Sequence, residues 1–174
     1  MDVLTNYSTY TMWAEVRDEL DRTEEVDQSA AVTDMVRFVR LHPTSIAQKV
    51  EVVVEHFRRN VAHHLDGQAR AMVVTSSRKA AVHWSHEMNR YITAKGYGFH
   101  SLVAFSDSIS MEDEPEPVTE VSLNGESDVE RAFKDDDLPY RVLIVANKFQ
   151  TGFNEPRLCA MYCLLYTSPS PRDS

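Results

Sequence analysis

Two short polar stretches of the chain each follow an apolar run and carry side chains that could bind phosphate. The first is TSSR at 75–78, directly after RAMVV, and the second is NKFQTGFN at 147–154, directly after VLIVA. Ligands of parallel α/β sheets bind beyond the carboxyl ends of the strands. Backbone amides at the start of a helix attract anions there, and an arginine adds a full positive charge. The two stretches therefore predict an anion-binding edge of a sheet.

The candidate binding groups are hydroxyls, amides and cations from both stretches: Thr75, Ser76 and Arg78 from the first, and Lys148, Gln150, Thr151 and Gly152 from the second. The glycine is included because it lets the backbone approach a ligand closely. Each stretch alone also has a simpler interpretation, in which the hydroxyls cap a helix, the lysine is solvated and the glycine makes a turn. The functional interpretation rests on both stretches lying at strand ends of one sheet.

Three apolar runs predict the strands that must position these groups: RAMVVTSS at 70–77, HSLVAFS at 100–106 and YRVLIVA at 140–146. Between them, residues 78–98 carry apolar side chains at helical spacing and end at a glycine. Residues 127–133 predict a short helix that begins with a Ser127/Glu130 capping box. Continuous apolar strands that alternate with helices indicate an α/β fold, with a parallel sheet covered by helices on both faces.

The chain before the first strand is predicted to be helical. Residues 1–41 form a helical lead-in segment, and a further helix runs from Pro43 to Gly67, where the glycine closes it as a left-handed cap. Residues 107–120, after the second strand, contain six acidic residues, no basic residue and two prolines. This composition predicts an exposed acidic loop.

The composition of the 174-residue chain suits one domain, or one domain with an appendage. Its net charge of -9 argues against a free-standing nucleic-acid binder, although a local basic site within a larger assembly stays compatible with it. The chain contains neither a Walker loop nor a G-x-G-x-x-G sequence. A complete nucleotide triphosphatase therefore cannot be assembled from this chain alone.

The histidines and cysteines do not predict a metal or redox site. His83, His86 and Glu87 share a predicted helix, but their order is not H-E-x-x-H and nothing completes a tetrahedral set. Cys159 and Cys163 are four residues apart, which is not C-x-x-C, and two thiols suit a reduced intracellular chain. Without a secretory signal or an apolar run of membrane-spanning length, we expect a cytoplasmic protein with no membrane partner.

Three longer stretches carry a resemblance to a known family: HPTSIAQKVEVVVEHFRRNV, AMVVTSSRKAAVHWSHEMNRYI and YRVLIVANKFQTGFNEPRLCAMY. They resemble the motor (restriction) subunit of type I restriction endonucleases, over about residues 35–162. That motor belongs to helicase superfamily two and has two RecA-like lobes. The resemblance implies that residues 42–162 form the second lobe in truncated form, with VVTSSR as motif IV and VLIVANKFQTGFNEP as motif V.

By this resemblance, the residues of motif IV and motif V have distinct roles. Thr75, Ser76 and Arg78 would meet DNA phosphate or support the motif IV loop. Gln150, Thr151 and Gly152, with Lys148 beside them, would couple DNA contact to ATP hydrolysis. The family usually has an aspartate at the position of Asn154, where it can bind the ribose of the nucleotide. The resemblance thus makes Asn154 a candidate nucleotide contact that lacks the charge.

The resemblance further implies a subunit of an ATP-dependent DNA translocase and endonuclease. Its cofactors would be ATP and Mg²⁺, and its partners double-stranded DNA and the modification and specificity subunits. Because no catalytic set is complete here, we expect a fragment that is inactive alone and binds no cofactor. Residues 163–174, CLLYTSPSPRDS, resemble adapter-derived sequence and are interpreted as a non-native tail. The alternative function is a stand-alone α/β binding or signalling module whose partner surface is the acidic loop.

Overall fold

The computed structural model describes residues 43–149 and 153–164. The predicted helical segment 1–41 and three site residues of the second stretch, Gln150, Thr151 and Gly152, lie outside the described residues. The helices are α1 (Pro43–His56), α2 (Arg78–Lys95), α3 (Glu120–Asn124) and α4 (Val129–Lys134), with a π-helical turn at Phe57–Val61 and a short turn at His64–Gly67. The strands are β1 (Arg70–Val74), β2 (His100–Phe105), β3 (Tyr140–Ala146) and β4 (Leu158–Cys163).

The four strands form one sheet in the order β2-β3-β1-β4, and every neighbouring pair is parallel. The registers align Val73 with Ile144 and Ile144 with Val103, so the apolar runs lie side by side. The predicted α/β fold with a parallel sheet is confirmed, and it is consistent with a RecA-like sheet. β4 includes Cys163, the first residue of the segment that the sequence assigned to a tail.

Helices cover both faces of the sheet, as predicted. The larger core lies between the sheet and α1 and α2, and it includes Phe57, Trp84 and Met88. The smaller core lies on the opposite face, where α4 packs Phe133 onto strand residues such as Leu143. Alternate side chains of β1, β2 and β3 point to opposite cores, which explains why these three strands are apolar on both faces. On the edge strand β4, alternate residues are exposed.

The single helix predicted from Pro43 to Gly67 is wrong after His56. The chain continues as a π-helical turn, in which the Ala62 amide donates to the Phe57 carbonyl across 2.8 Å. This turn keeps both Phe57 and Val61 buried in the larger core. Leu65 and Asp66 then adopt left-handed backbone angles ahead of Gly67. The chain therefore makes a turn before β1, where the sequence predicted a continuous helix capped by Gly67.

The loops around α3 and α4 differ from the prediction in two details. The cap of α4 is Asp128, whose side chain accepts from the Arg131 amide at 3.0 Å, so Ser127 is not the capping residue. The predicted acidic loop is exposed at its tip, but Ile109 and Val118 form an antiparallel bridge and Val118 is buried. Tertiary contact with the core explains this bridge, because Val118 packs there as an apolar anchor.

Two tyrosines packed against the larger core should lower the free energy of unfolding in alkaline solution. Burial raises the pKa of Tyr91 and that of Tyr162 to about 12, and Tyr91 also donates to the Glu55 carboxylate at 3.1 Å. In the unfolded chain the phenol ionises near its ordinary pKa of 10.0, whereas in the folded chain it stays protonated up to about pH 12. The free energy of unfolding is therefore unaffected below pH 10 and falls as the pH rises from 10 to 12. We expect the free energy of unfolding to fall between these values, by on the order of 2 kcal/mol per tyrosine.

Urea unfolding at several alkaline pH values, for the native chain and for Tyr91→Phe, measures this effect. The variant has no phenol to ionise at position 91, so its stability should depend less steeply on pH than that of the native chain. Parallel pH profiles for the two chains would contradict the assignment to Tyr91.

Candidate anion-binding site at the carboxyl edge of the sheet

The loop from β1 to α2 is held together by hydroxyl groups. The buried Thr75 hydroxyl donates to the Val145 carbonyl at 2.8 Å, and the Thr75 amide reaches the same oxygen at 2.9 Å. Ser77 caps α2 by accepting from the Ala80 amide at 3.1 Å. Ser76, between them, is exposed. Thr75 therefore supports the loop, while Ser76 is the hydroxyl that faces solvent.

The start of α2 is electrostatically positive. Its first turn contains no acidic residue and begins with Arg78 and Lys79, which add to the partial positive charge of the helix amino end. The Arg78 guanidinium donates through Nη1 to the carbonyls of Ser106 (3.2 Å) and Ser108 (3.1 Å). These bonds fix Arg78 beside the end of β2.

Lys148 follows β3 in a turn of unusual backbone geometry. Its neighbours Asn147 and Phe149 both have left-handed backbone angles, with φ of 56° and 59°. Asparagine adopts such angles more readily than most residues, but they are strained for a bulky residue such as phenylalanine. The turn directs the Lys148 ammonium to both carboxylate oxygens of Glu120, each at 2.9 Å.

The strand registers bring these groups to one edge of the sheet. Phe105 pairs with Ala146, and the Thr75 amide bonds to Val145, so β1, β2 and β3 end side by side. Arg78 and Lys148 thus both lie at the carboxyl ends of the strands. The arrangement can bind an anion through the helix amino end, an exposed hydroxyl and two cations.

Asn154 lies on the connection between β3 and β4 and is exposed. The residue before it, Phe153, packs against Phe149 with 5.0 Å between the ring centroids. The residue after it, Glu155, reaches the guanidinium of Arg70 at the amino end of β1. Asn154 therefore lies between the two edges of the sheet, and within the described residues no hydrogen bond joins it to either cation of the carboxyl edge.

Sequence reasoning missed Glu120 as a member of this site. It was assigned to the acidic loop, yet it is the first residue of α3 and contacts Lys148. The available signal was the Thr119/Ser122 pair, which forms a reciprocal capping box and thus marks a helix start. The pairing of Glu120 with Lys148 joins residues 28 positions apart and has no local signal.

Within residues 43–149 and 153–164, no three or more histidine, cysteine, aspartate or glutamate side chains are grouped so that they could hold a metal ion. Burial lowers the pKa of His83, and the nearby His86 lowers it further. Cys159 and Cys163 are both exposed, free thiols. Among the described helices, none combines the length and the apolar character that crossing a membrane requires.

The fold and the site define a parallel α/β domain with a candidate anion-binding edge. No family model matches the chain. It is 32% identical over 115 residues to a protein of Methanocaldococcus jannaschii named "Putative type I restriction enzyme MjaIXP endonuclease subunit". The match covers 64% of this chain and 10% of that relative, so the chain spans only a small part of the relative's length. This similarity supports a relationship to the type I restriction enzyme family.

Proposed function

We propose that this chain is part of the DNA-translocating and DNA-cleaving subunit of a type I restriction-modification system, where it contributes the second RecA-like lobe. The observation that carries the proposal is the convergence of Arg78, Lys148 and the amino end of α2 at one edge of a parallel sheet. The similarity to a type I restriction enzyme endonuclease subunit supports the family named in this proposal.

In this proposal the carboxyl edge grips the DNA backbone without reading its sequence. Arg78, Lys148 and the exposed Ser76 supply donors for phosphate oxygens, and Thr75 holds their loop against β3. By the resemblance to motif V, Gln150, Thr151 and Gly152 would transmit DNA contact to the nucleotide. The modification and specificity subunits would be the protein partners, with sequence recognition assigned to the specificity subunit.

ATP and Mg²⁺ are cofactors of the proposed whole protein, in which Asn154 would contact the ribose. The sequence of this chain has no Walker loop to hold the triphosphate, and Mg²⁺ is usually bound through one or two carboxylates together with the nucleotide phosphates. No step of ATP hydrolysis can therefore be assigned to the residues described here.

Substitution of Arg78 tests the proposal. We expect Arg78→Ala to weaken binding of duplex DNA about tenfold and to reduce the salt dependence by about one counterion, because one charged phosphate contact is lost. Arg78→Gln retains an amide donor for the Ser106 and Ser108 carbonyls, so it should bind DNA as weakly while preserving the loop. Fluorescence anisotropy at several salt concentrations provides the measurement.

Arg90→Ala is the matched control, since it removes the same charge from the same helix. Arg90 pairs with Glu87 at 2.6 Å and lies about 18 Å along α2 from Arg78. Equal weakening by the Arg78 and Arg90 variants would show that only net charge matters. DNA binding that is insensitive to both Arg78 variants would favour the alternative α/β binding module.

A further inference from the structure

The two cations of the proposed DNA-binding edge are both engaged by one segment of the chain. This segment, residues 106–120, is called the acidic strap below. Its first part accepts hydrogen bonds from Arg78 through the carbonyls of Ser106 and Ser108. Its last residue, Glu120, accepts from Lys148. The strap therefore contacts both side chains that would meet a phosphate.

The contact with Lys148 has the geometry of a phosphate contact. Both Glu120 oxygens lie 2.9 Å from the Lys148 ammonium, as two oxygens of a phosphate would. Oε1 also accepts the Phe105 amide at 2.6 Å, and the Thr119/Ser122 capping box holds the start of α3. The fold therefore places the carboxylate against Lys148 at the edge of the sheet before any ligand binds.

The strap is anchored at its base and acidic at its tip. The Ile109–Val118 bridge joins its two ends, and Val118 is buried in the larger core. Between them, the exposed acidic residues are Glu112, Asp113, Glu114 and Glu116. Glu114 lines a surface pocket together with His86 and Asn89, so the tip lies along α2 and its charges act on a polyanion at the edge only at longer range.

We propose that the acidic strap is an internal competitor for DNA, in which Glu120 occupies the phosphate position on Lys148 until a polyanion displaces it. This inference rests on the proposed function, because it regulates the same edge. Lys148 and Glu120 are partly exposed, at 32% and 18%, and an ion pair in such surroundings is weak enough to exchange with phosphate. Displacement would free Lys148 for the DNA backbone while the strap stays anchored through Val118.

Glu120→Gln in the full chain tests the competitor directly. The glutamine oxygen can still accept a hydrogen bond from the Phe105 amide, so the contact with β2 is kept. Lys148 loses its ion pair and its ammonium becomes available to another anion. We expect about threefold tighter binding of duplex DNA and of inorganic tripolyphosphate, with a steeper salt dependence. The gain should disappear in Glu120→Gln/Lys148→Met, because the competitor acts through Lys148.

Glu116→Gln is the matched control, since it removes the same charge from the exposed tip of the strap. The competitor proposal would be overturned if Glu116→Gln raised the affinity as much as Glu120→Gln does. It would also be overturned if the gain of Glu120→Gln persisted in the double variant with Lys148→Met, or if Glu120→Gln gave no gain in affinity. If Glu120→Gln gains affinity only for tripolyphosphate and no chain binds DNA, the competitor stands and the DNA function falls. If the native chain binds DNA through Arg78 and Glu120→Gln changes nothing, the competitor alone is overturned.

Discussion

Glu155→Ala is expected to lower the free energy of unfolding by about 3–5 kcal/mol, because it removes the buried carboxylate that faces Arg70 and leaves that charge with only the exposed carboxylate of Asp136. Arg70 is completely buried, and its Nη1 donates to Glu155 at 3.3 Å. Arg157 donates to the same carboxylate through Nε at 2.8 Å. Burial lowers the pKa of Arg70 because desolvation disfavours the charged form, and the Glu155 carboxylate opposes this shift.

Asp136→Asn is the matched control for this prediction. Asp136 accepts from Arg70 at 3.1 Å, as Glu155 does, but its side chain is 58% exposed against 1% for Glu155. Water can replace an exposed carboxylate, so we expect the control to cost less than about 1 kcal/mol. Urea unfolding followed by circular dichroism measures both variants, and equal small losses would contradict the prediction.

A double replacement distinguishes the contribution of the ion pair itself from the cost of leaving a buried charge unpaired. Arg70→Met/Glu155→Leu removes both members of the buried pair and replaces them with apolar side chains. Because such replacements are often neutral for stability, we expect the double variant to be more stable than Glu155→Ala. A double variant less stable than Glu155→Ala would show that the pair itself, and not only charge balance, stabilises the start of β1.

Phe133→Ala is expected to cost about 3–5 kcal/mol, since Phe133 is the fully buried aromatic of α4 on the smaller core. Its ring lies 6.1 Å from that of Phe153, and the Arg70 guanidinium lies 5.5 Å from its centroid. In the described part of the chain, α4 is the helix that packs on this face, so a cavity there has little else to fill it.

Val121→Ala in α3 provides the comparison for Phe133→Ala. Val121 is 53% exposed, so we expect a change within about 0.5 kcal/mol. Phe133→Leu should fall between the two because it fills part of the cavity. We expect the highest unfolding midpoint for Val121→Ala, a lower one for Phe133→Leu and the lowest for Phe133→Ala. A Phe133→Ala chain as stable as Val121→Ala would contradict the assigned packing.

Local signals in the sequence determined most of the regular elements. The continuous apolar runs located β1, β2 and β3, since both faces of a parallel sheet are buried. The helical spacing over residues 78–98 located α2, which ends at Lys95 with Gly96 as its left-handed cap, before the predicted end at Gly98. The same reasoning placed Arg78 and Lys148 at strand ends, and the structure brings them to one edge.

Only the tertiary structure decided which charged groups meet. The Glu120–Lys148 pair joins residues 28 positions apart, and the Arg70–Glu155 pair joins residues 85 positions apart. The structure also ended α1 at His56, where the sequence predicted that the helix continues to Gly67. Apolar periodicity and helix caps act within a few residues, so sequence reveals them. The partner of a charge depends on strand order and on the path of long connections, which local patterns do not encode.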